Sequence, residues 1–372
     1  MSRIVDTLKT ISVAAPQIGD EERNAVLAVL DSGQLAQGPV VEAFELEFGS
    51  WIGAKHAVAV NSGTAALHLL MLAHGVGEGD EVITSPFTFV ASANAALFVG
   101  ARPVFVDIEP ETYCIDPARV EAAITSKTRA IMPVDIYGHP AAIHELKEIA
   151  HRHGLVLIED ACQAHGAAIG AQKAGALGVS ATFSFYPTKN MTTAEGGMVT
   201  TEDAAIAEKV GKLRQHGAAH RYHHDVLGYN FRMTEIAAAI GRAQLAKLDR
   251  WNERRRRNAS MLDEGLAGTP GVVTPKERPG YRHVYHQYTV LIEGDRDRLR
   301  DRLGELGVGS AIHYEIPVHR QPLYAGLGYA TVSMPVAERA AAHVLSLPVH
   351  PALTDEDLDQ IVEAVRKVAA EA

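Results

Sequence analysis

The alternation of strand and helix patterns through the first two-thirds of the chain constrains the fold more than any other feature. Continuous apolar runs predict strands, and a helical pattern follows each run. This combination is typical of a mainly parallel sheet covered by helices on both faces. In such a sheet a ligand lies beyond the carboxyl ends of the strands, so functional residues are expected there. The predicted strands are 56–60, 81–84, 103–107, 129–134 and 155–158, and the predicted helices are 64–73, a stretch from Ala91, 117–124 and 142–153.

The last third of the chain predicts a smaller α+β domain. A helical pattern runs from residue 233 to about residue 265 and stops near the Thr-Pro-Gly turn at 269–271. We predict a large ligand-binding domain over residues 1–245 and a small domain over residues 246–372, hinged on this long helix. The elements expected in the small domain are strands at 287–292 and 310–314 and helices at 296–306, from Val336 and from Asp355.

Charge, cysteine content and hydropathy exclude several classes of protein. The net charge of −10 opposes binding to nucleic acid or to an acidic membrane surface. The two cysteines, Cys114 and Cys162, are too few for a disulfide framework, which favours a cytoplasmic location. No run approaches the ~20 apolar residues of a membrane span, and the N-terminal stretch MSRIVDTLKTISVAAPQ lacks the apolar core of a signal peptide.

Lys189 carries the first chemical signal. It follows a predicted strand at 182–186 and precedes a Gly-Gly turn and a strand at 198–200. Desolvation disfavours the ammonium form of a lysine in an apolar, turn-bounded site, which leaves an amine able to form a Schiff base. A solvated loop lysine is the plainer interpretation of the same position.

Asp160 carries the second signal, directly after the apolar strand that ends at Ile158. An isolated carboxylate is costly there unless a cation faces it. A protonated pyridine nitrogen supplies that cation and can then draw electrons from a bound substrate. The alternative role of Asp160 is the N-cap of the segment 162–164.

A third signal is NSGTAAL at 61–67, which follows a strand and opens a helix. Gly63 lets the backbone approach an anion, and Thr64 can donate from its amide and its hydroxyl at the helix N-terminus. Ser184 is a candidate for a further hydroxyl on the same phosphate. The glycine spacing is not that of a Walker or Rossmann motif, and a simple N-capped helix stays the alternative.

Two further positions have both a structural and a functional interpretation. Phe89 follows the strand at 81–84 and is either a core residue or a ring that stacks on a cofactor. Asn230 lies just before the long helix, where a polar turn is usually only a helix start.

Four segments of the chain together carry a family resemblance. They are NSGTAAL at 61–67, EDACQAHGA at 159–167, SFYPTKN at 184–190 with EGGM at 195–198, and GYNFRMTE at 228–235. In this order and spacing they resemble the DegT/DnrJ/EryC1/StrS family of sugar-nucleotide aminotransferases. The resemblance covers nearly the whole chain and implies fold type I of the pyridoxal-phosphate enzymes, an α/β large domain with a mainly parallel sheet covered by helices plus a small C-terminal α+β domain.

The resemblance also implies roles for individual residues. Lys189 matches the lysine that holds pyridoxal phosphate as a Schiff base, and Asp160 matches the partner of the pyridine nitrogen. A subgroup of the family has histidine instead of this lysine and dehydrates its sugar, so the lysine favours a transaminase. The other expected contacts are Gly63, Thr64 and Ser184 on the phosphate, Phe89 over the ring, Gln163 near the ring hydroxyl, Asn230 on the phosphate of the neighbouring subunit, and Tyr314 and His319 near the sugar or nucleotide. Cys162 stands where the family usually has alanine, and Ala194 where glycine is frequent.

The activity implied by the resemblance is transfer of an amino group from an amino acid, expected to be glutamate, to a nucleotide-linked sugar. The acceptor would be a 3- or 4-keto-6-deoxy hexose, with C4 slightly favoured. The contact of Asn230 implies a homodimer with shared active sites. Two alternatives stay open: glutamine-dependent amination of a keto-cyclitol, and a regulatory or binding protein that uses the fold without turnover. Retention of Lys189 and Asp160 weighs against the second.

Two basic segments are interpreted as surface. The arginine run at 254–257 is expected to be solvated or to face a dimer partner, since the acidic chain does not favour nucleic acid. His220, His223 and His224 lack the spacing of a metal site, so no metal is predicted.

Overall fold

A computed structural model of the protein describes residues 10–220 and 222–371. The helices are α1 Asp20–Ser32, α2 Pro39–Ile52, α3 Gly63–Ala73, α4 Val90–Phe98, α5 Pro117–Ala122, α6 Ile143–His153, α7 Ala204–Leu213, α8 Glu235–Leu266, α9 Arg296–Glu305, α10 Pro322–Tyr324, α11 Pro335–His343 and α12 Asp355–Ala369. The strands are β1 His56–Val60, β2 Glu81–Thr84, β3 Arg102–Phe105, β4 Thr128–Met132, β5 Val156–Asp160, β6 Ala168–Ile169, β7 Gln172–Lys173, β8 Ser180–Ser184, β9 Gly197–Thr201, β10 Ala218–His220, β11 His223–His224, β12 Val272–Val273, β13 Tyr281–Arg282, β14 Tyr288–Ile292 and β15 Val344–Leu347. Short helical turns lie at Ile136–Gly138, Val318–Arg320 and Ala325–Tyr329.

A seven-stranded sheet forms the centre of the larger part of the molecule, with strand order β1-β9-β8-β5-β4-β2-β3. Strand β9 is antiparallel to β1 and β8, and the other neighbouring pairs are parallel. The predicted mainly parallel α/β sheet is therefore confirmed. Every strand predicted in the first two-thirds is present, with ends shifted by at most two residues.

Burial on both faces of the sheet explains why its strands appear as continuous apolar runs. Successive side chains of a strand point to opposite faces. Along β2, Val82 packs in a cluster with Leu67 and Leu70 of α3, whereas Ile83 packs in a second cluster with Leu146 of α6. Both β2 residues are fully buried, so neither face of this strand allows a polar residue.

The last third contains a three-stranded antiparallel sheet, β12-β14-β15, in one apolar cluster with residues of α8, α9 and α12. The prediction of a strand at 310–314 is wrong, because only Ala311 pairs there, in an isolated bridge with Ser346. The strand beside β14 is instead β15, which was not predicted. Residue 245 lies inside α8, and the division of the chain near that residue stays a prediction.

Two helices that the sequence patterns did not predict, α1 and α2, pack against α8. Glu235, the buried first residue of α8, accepts hydrogen bonds of 2.8–2.9 Å from the backbone N–H groups of Gly38, Val40 and Val41. These bonds satisfy the orphan donors at the start of α2. Across residues 10–220 and 222–371, no helix combines the length and the apolar character needed to cross a membrane.

Candidate active site

Four chain segments meet beyond the carboxyl ends of strands in the central sheet. Helix α3 begins after β1, helix α4 begins after β2, Asp160 ends β5 and Ser184 ends β8. Contacts between these segments bring most of the predicted site residues into one cluster, as the edge of a parallel sheet would require.

The start of α3 lies close to the end of β8. Ser62 caps the helix, its Oγ accepting the N–H of Ala65 at 3.1 Å, which leaves the N–H groups of Gly63 and Thr64 as unused donors of the first turn. A Cβ added at Gly63 would lie 2.8 Å from Cβ of Ser184, so only glycine allows this approach of α3 to β8. The predicted phosphate residues Gly63, Thr64 and Ser184 are therefore adjacent. The helix cap is observed, and phosphate binding stays a prediction.

Asp160 is 3% exposed and is fixed by two neutral donors. Its Oδ2 accepts the hydroxyl of Ser92 at 2.7 Å, and its Oδ1 accepts the N–H of Cys162 at 3.2 Å. The bond from Cys162 to Oδ1 is the local contact that is expected if Asp160 caps the segment 162–164. Both donors are neutral, so neither supplies the counter-charge that a protonated ring nitrogen would give to Asp160.

Lys189 lies in the turn after β8, where its N–H donates to the carbonyl of Tyr186 at 2.9 Å. Burial lowers the pKa of its amine. Electrostatic attraction to Cys162 and Asp160 acts in the opposite direction and favours the ammonium form, but the effect of burial is larger. Within the part of the chain that the structure describes, Nζ of Lys189 has no hydrogen-bond partner. The site therefore presents a free amine whose neutral, nucleophilic form is favoured by desolvation.

Gln163, Tyr314 and Phe89 line a further side of the site. Gln163 is 5% exposed, its Oε1 accepts the N–H of Tyr137 at 2.7 Å, and its Nε2 donates to the hydroxyl of Tyr314 at 3.0 Å. Phe89 has a ring centroid 6.3 Å from that of Tyr314. Since Phe89 is 56% exposed, its interpretation as a core residue is wrong, and the ring is available to a ligand.

Two predicted residues make none of these contacts. Asn230 is exposed and forms an isolated bridge with Gln215. His319 is fully buried, with its Nε2 2.9 Å from Oε1 of Glu338 and its ring beside Phe105. The structure thus leaves His319 no exposed surface for direct contact with a substrate.

Sequence reasoning missed Ser92 and Tyr137, which orient Asp160 and Gln163. Ser92 lies one turn after Phe89 at the start of α4, and its place at a strand end was the signal that could have found it. The surface interpretation of the arginine run at 254–257 is wrong for Arg255, which is 7% exposed. As a whole the arrangement suits a ligand with a phosphate, a protonated ring nitrogen and a carbonyl carbon open to an amine.

A family model described as the DegT/DnrJ/EryC1/StrS aminotransferase family matches residues 16–366. A dTDP-3-amino-3,4,6-trideoxy-alpha-D-glucose transaminase of Streptomyces venezuelae is 43% identical over 360 residues, 96% of this chain and 95% of the relative. A pleiotropic regulatory protein of Geobacillus stearothermophilus is 45% identical over 352 residues, 94% of each protein.

Among solved structures, S. venezuelae DesV in complex with a ketimine intermediate superposes with a TM-score of 0.92 at 44% identity, with 94% of each chain covered. Each of these likenesses spans both the central sheet and the last third of the chain. Every predicted site residue falls inside the range that the family model matches.

Proposed function

The chain belongs to the DegT/DnrJ/EryC1/StrS aminotransferase family, and we propose that it moves an amino group from glutamate to a keto-sugar attached to a nucleotide. It is a pyridoxal-phosphate-dependent sugar aminotransferase with the fold of that family. The observation that carries the proposal is the free amine of Lys189, placed among a buried carboxylate and an unused helix N-terminus.

The residues present fit pyridoxal phosphate. We assign the phosphate to the N–H groups of Gly63 and Thr64 and the hydroxyl of Ser184, where no Cβ obstructs the approach. Asp160 would hold the proton on the ring nitrogen, and Lys189 would hold the carbonyl carbon through Nζ. When bound, the cofactor supplies an electron-accepting ring that stabilises negative charge on the substrate carbon.

Lys189 then has two tasks that an amine of lowered pKa can perform. As a general base, Nζ would accept the proton that leaves the α-carbon of the donor amino acid, and as a general acid it would then donate that proton to the cofactor. The hydroxyl of Ser92 keeps the carboxylate of Asp160 oriented throughout, at 2.7 Å. Phe89 is proposed to lie over the cofactor ring, and Tyr314, 6.3 Å from it between ring centroids, is proposed to contact the sugar.

The acceptor in this proposal is a 3- or 4-keto-6-deoxy hexose on a nucleotide. The name of the S. venezuelae relative places an amino group at C3 of the sugar, whereas the sequence patterns slightly favour C4. Both carbons therefore belong in the assay.

We also propose a homodimer with shared active sites. The segment before Asn230 exposes apolar side chains, with Tyr222 83% and Leu227 82% exposed. Exposed apolar surface of this kind is typical of a protein–protein interface. A partner covering this segment would bring Asn230 near the phosphate site of the other subunit.

The test is to incubate the holoenzyme with glutamate and a nucleotide-linked 3-keto or 4-keto hexose. Equal amounts of 2-oxoglutarate and amino-sugar are expected, and none with Lys189→Ala. Faster amination of a keto-cyclitol with glutamine would support the alternative substrate pair. Absence of turnover with every pair would favour a regulatory role, such as the one named for the Geobacillus relative.

A further inference from the structure

Arg255 is a buried cation that has no anionic partner within the part of the chain that the structure describes. It is 7% exposed, and its Nη1 donates to the carbonyl oxygens of Tyr285 at 3.1 Å and His286 at 3.4 Å. Its Nε is sealed from solvent without a hydrogen bond in residues 10–220 and 222–371. Nη2 makes no hydrogen bond to those residues either, but it is not among the sealed atoms. Two N–H groups on one edge of the guanidinium are therefore unused.

The other three arginines of the run all have acidic partners. Arg254 and Arg257 lie 3.4 Å and 2.7 Å from the carboxylate of Asp355, and Arg256 pairs with Glu277. The positive charge of Arg255 alone is left unbalanced. Only burial acts on its pKa, lowering it to about 10, so the guanidinium stays charged at neutral pH.

Arg255 borders a small cavity that it shares with Lys189. The cavity has a volume of about 20 Å³, room for a group the size of one water molecule or one carboxylate oxygen. Pro187, Gln244 and Trp251 also line it, and no acidic residue does. Because a buried charge is costly without a counter-charge, the cavity favours an anionic ligand.

The neighbouring histidine neither adds to this charge nor balances it. His286 is 5% exposed, with a buried Nδ1 that has no partner among the described residues. Burial and the neighbouring groups Lys189, Arg255 and His313 lower its pKa well below the usual range, so it is neutral. Lys189 has the carboxylate of Asp160 nearby, so Arg255 is the cation of this region that lacks a counter-charge among the described residues.

We propose that Arg255 and this cavity bind a carboxylate of the amino-acid donor. This inference rests on the proposed function, in which the donor must place its α-carbon beside Lys189. The α-carboxylate is bonded to that carbon, whereas the phosphates of a nucleotide-sugar lie far from its reacting ketone. The cofactor phosphate has its own cradle at Gly63 and Ser184. The cavity admits one carboxylate oxygen at Nε of Arg255, and the unpaired Nη2 can bind the second oxygen, which gives the two-point contact typical of an arginine with a carboxylate.

The direct test uses glutarate, an unreactive dicarboxylate, with the holoenzyme. Trp251 lines the cavity, so its fluorescence should change with saturable glutarate binding, and Trp251→Phe should abolish the signal. Arg255→Gln should weaken binding by about 30-fold or more, the equivalent of about 2 kcal/mol for one truncated member of a buried charged pair. Arg257→Gln, an exposed member of the same run, should bind glutarate like the wild type.

A kinetic test separates the two half-reactions. Arg255→Gln should raise the glutamate concentration needed to convert the cofactor to its amino form, and it should leave the step with the keto-sugar unchanged. If Arg255→Gln fails to fold, Arg255→Lys replaces it, since one ammonium keeps the charge but loses the two-point contact, and glutarate should again bind more weakly.

Wild-type binding of glutarate without amination of any sugar would leave this inference standing and refute the proposed function. If the Arg255→Gln enzyme aminates the sugar and binds glutarate as tightly as the wild type, this inference is refuted and the proposed function stands. Equal affinity of the wild type for glutarate and inorganic phosphate would also overturn the inference, because a site for the donor must prefer a carboxylate.

Discussion

Replacing Glu159 by glutamine should change how the stability of the protein depends on pH. Glu159 and Asp135 are completely buried, neighbouring carboxyl groups beside Asp160. Glu159 accepts the N–H of Gly175, and Asp135 that of Ala141, each at 2.8 Å. Burial raises the pKa of both Glu159 and Asp135, and repulsion between neighbouring carboxyl groups that are all ionised raises it further.

The size of the effect follows from the pKa of Glu159. Burial first, and then the charge of Asp160, raises this pKa from 4.5 to about 7, against the hydrogen bond from Gly175. The folded protein therefore keeps a proton that the unfolded chain releases between pH 4.5 and 7. The stabilisation is complete below pH 4.5 and is lost as the pH rises to about 7, at ~1.4 kcal/mol per pH unit and about 3 kcal/mol in total.

Glutamine at position 159 cannot ionise, so it should remove this loss. The assay is urea unfolding of wild type and Glu159→Gln from pH 5 to pH 8, followed by circular dichroism at one fixed cofactor concentration. As the pH rises across that range, the free energy of unfolding of the variant minus that of the wild type should increase by roughly 2–3 kcal/mol. The histidines titrate in both proteins, so their contribution cancels in the difference between the two stabilities. Glu47→Gln, at an exposed site, serves as the control. Parallel pH profiles would refute the raised pKa of Glu159.

Three further changes test other parts of the structure. Gly63→Ala puts a Cβ 2.8 Å from a side-chain carbon of β8, so pyridoxal phosphate should bind about tenfold more weakly in an equilibrium titration, whereas Gly211→Ala, which meets nothing within 4 Å, should bind normally. Ala194 has a φ of 69°, a left-handed conformation, and Ala194→Gly should raise the free energy of unfolding by about 1 kcal/mol; a loss of stability in urea would contradict this strain. Mixing Asn230→Ala with Lys189→Ala subunits should restore activity, because one site of each hybrid dimer has neither defect. No recovery despite subunit exchange would argue against shared sites.

The central sheet was predictable because its strands are buried on both faces. Residues such as Val82 and Ile83 must both be apolar, which marks a strand without any knowledge of its neighbours. Helix α2 was missed for the opposite reason. Its start depends on Glu235, which is 194 to 197 residues away in the chain, and no local pattern reports that contact.

The candidate site divides in the same way. Lys189 and Asp160 were recognisable because each stands at a strand end, where a parallel sheet places its ligand. The role of Ser92 depends on a hydrogen bond across 68 residues, and only the folded chain reveals it. The inward direction of Arg255 likewise depends on the packing of α8 against the segment 285–286. His319 was expected near the sugar or nucleotide, but its side chain is fully buried because the turn that carries it packs against Phe105.

The most direct measurement of the central claim is borohydride reduction of the holoenzyme followed by peptide mapping. Reduction should fix the cofactor to Lys189 alone, and prior addition of glutamate should protect Lys189 by releasing its amine. Lys173 and Lys212 are internal controls, since the first donates to the carbonyl of Trp51 and the second pairs with Asp225. A label on either control lysine, or a label on Lys189 that glutamate does not diminish, would contradict the account of this site.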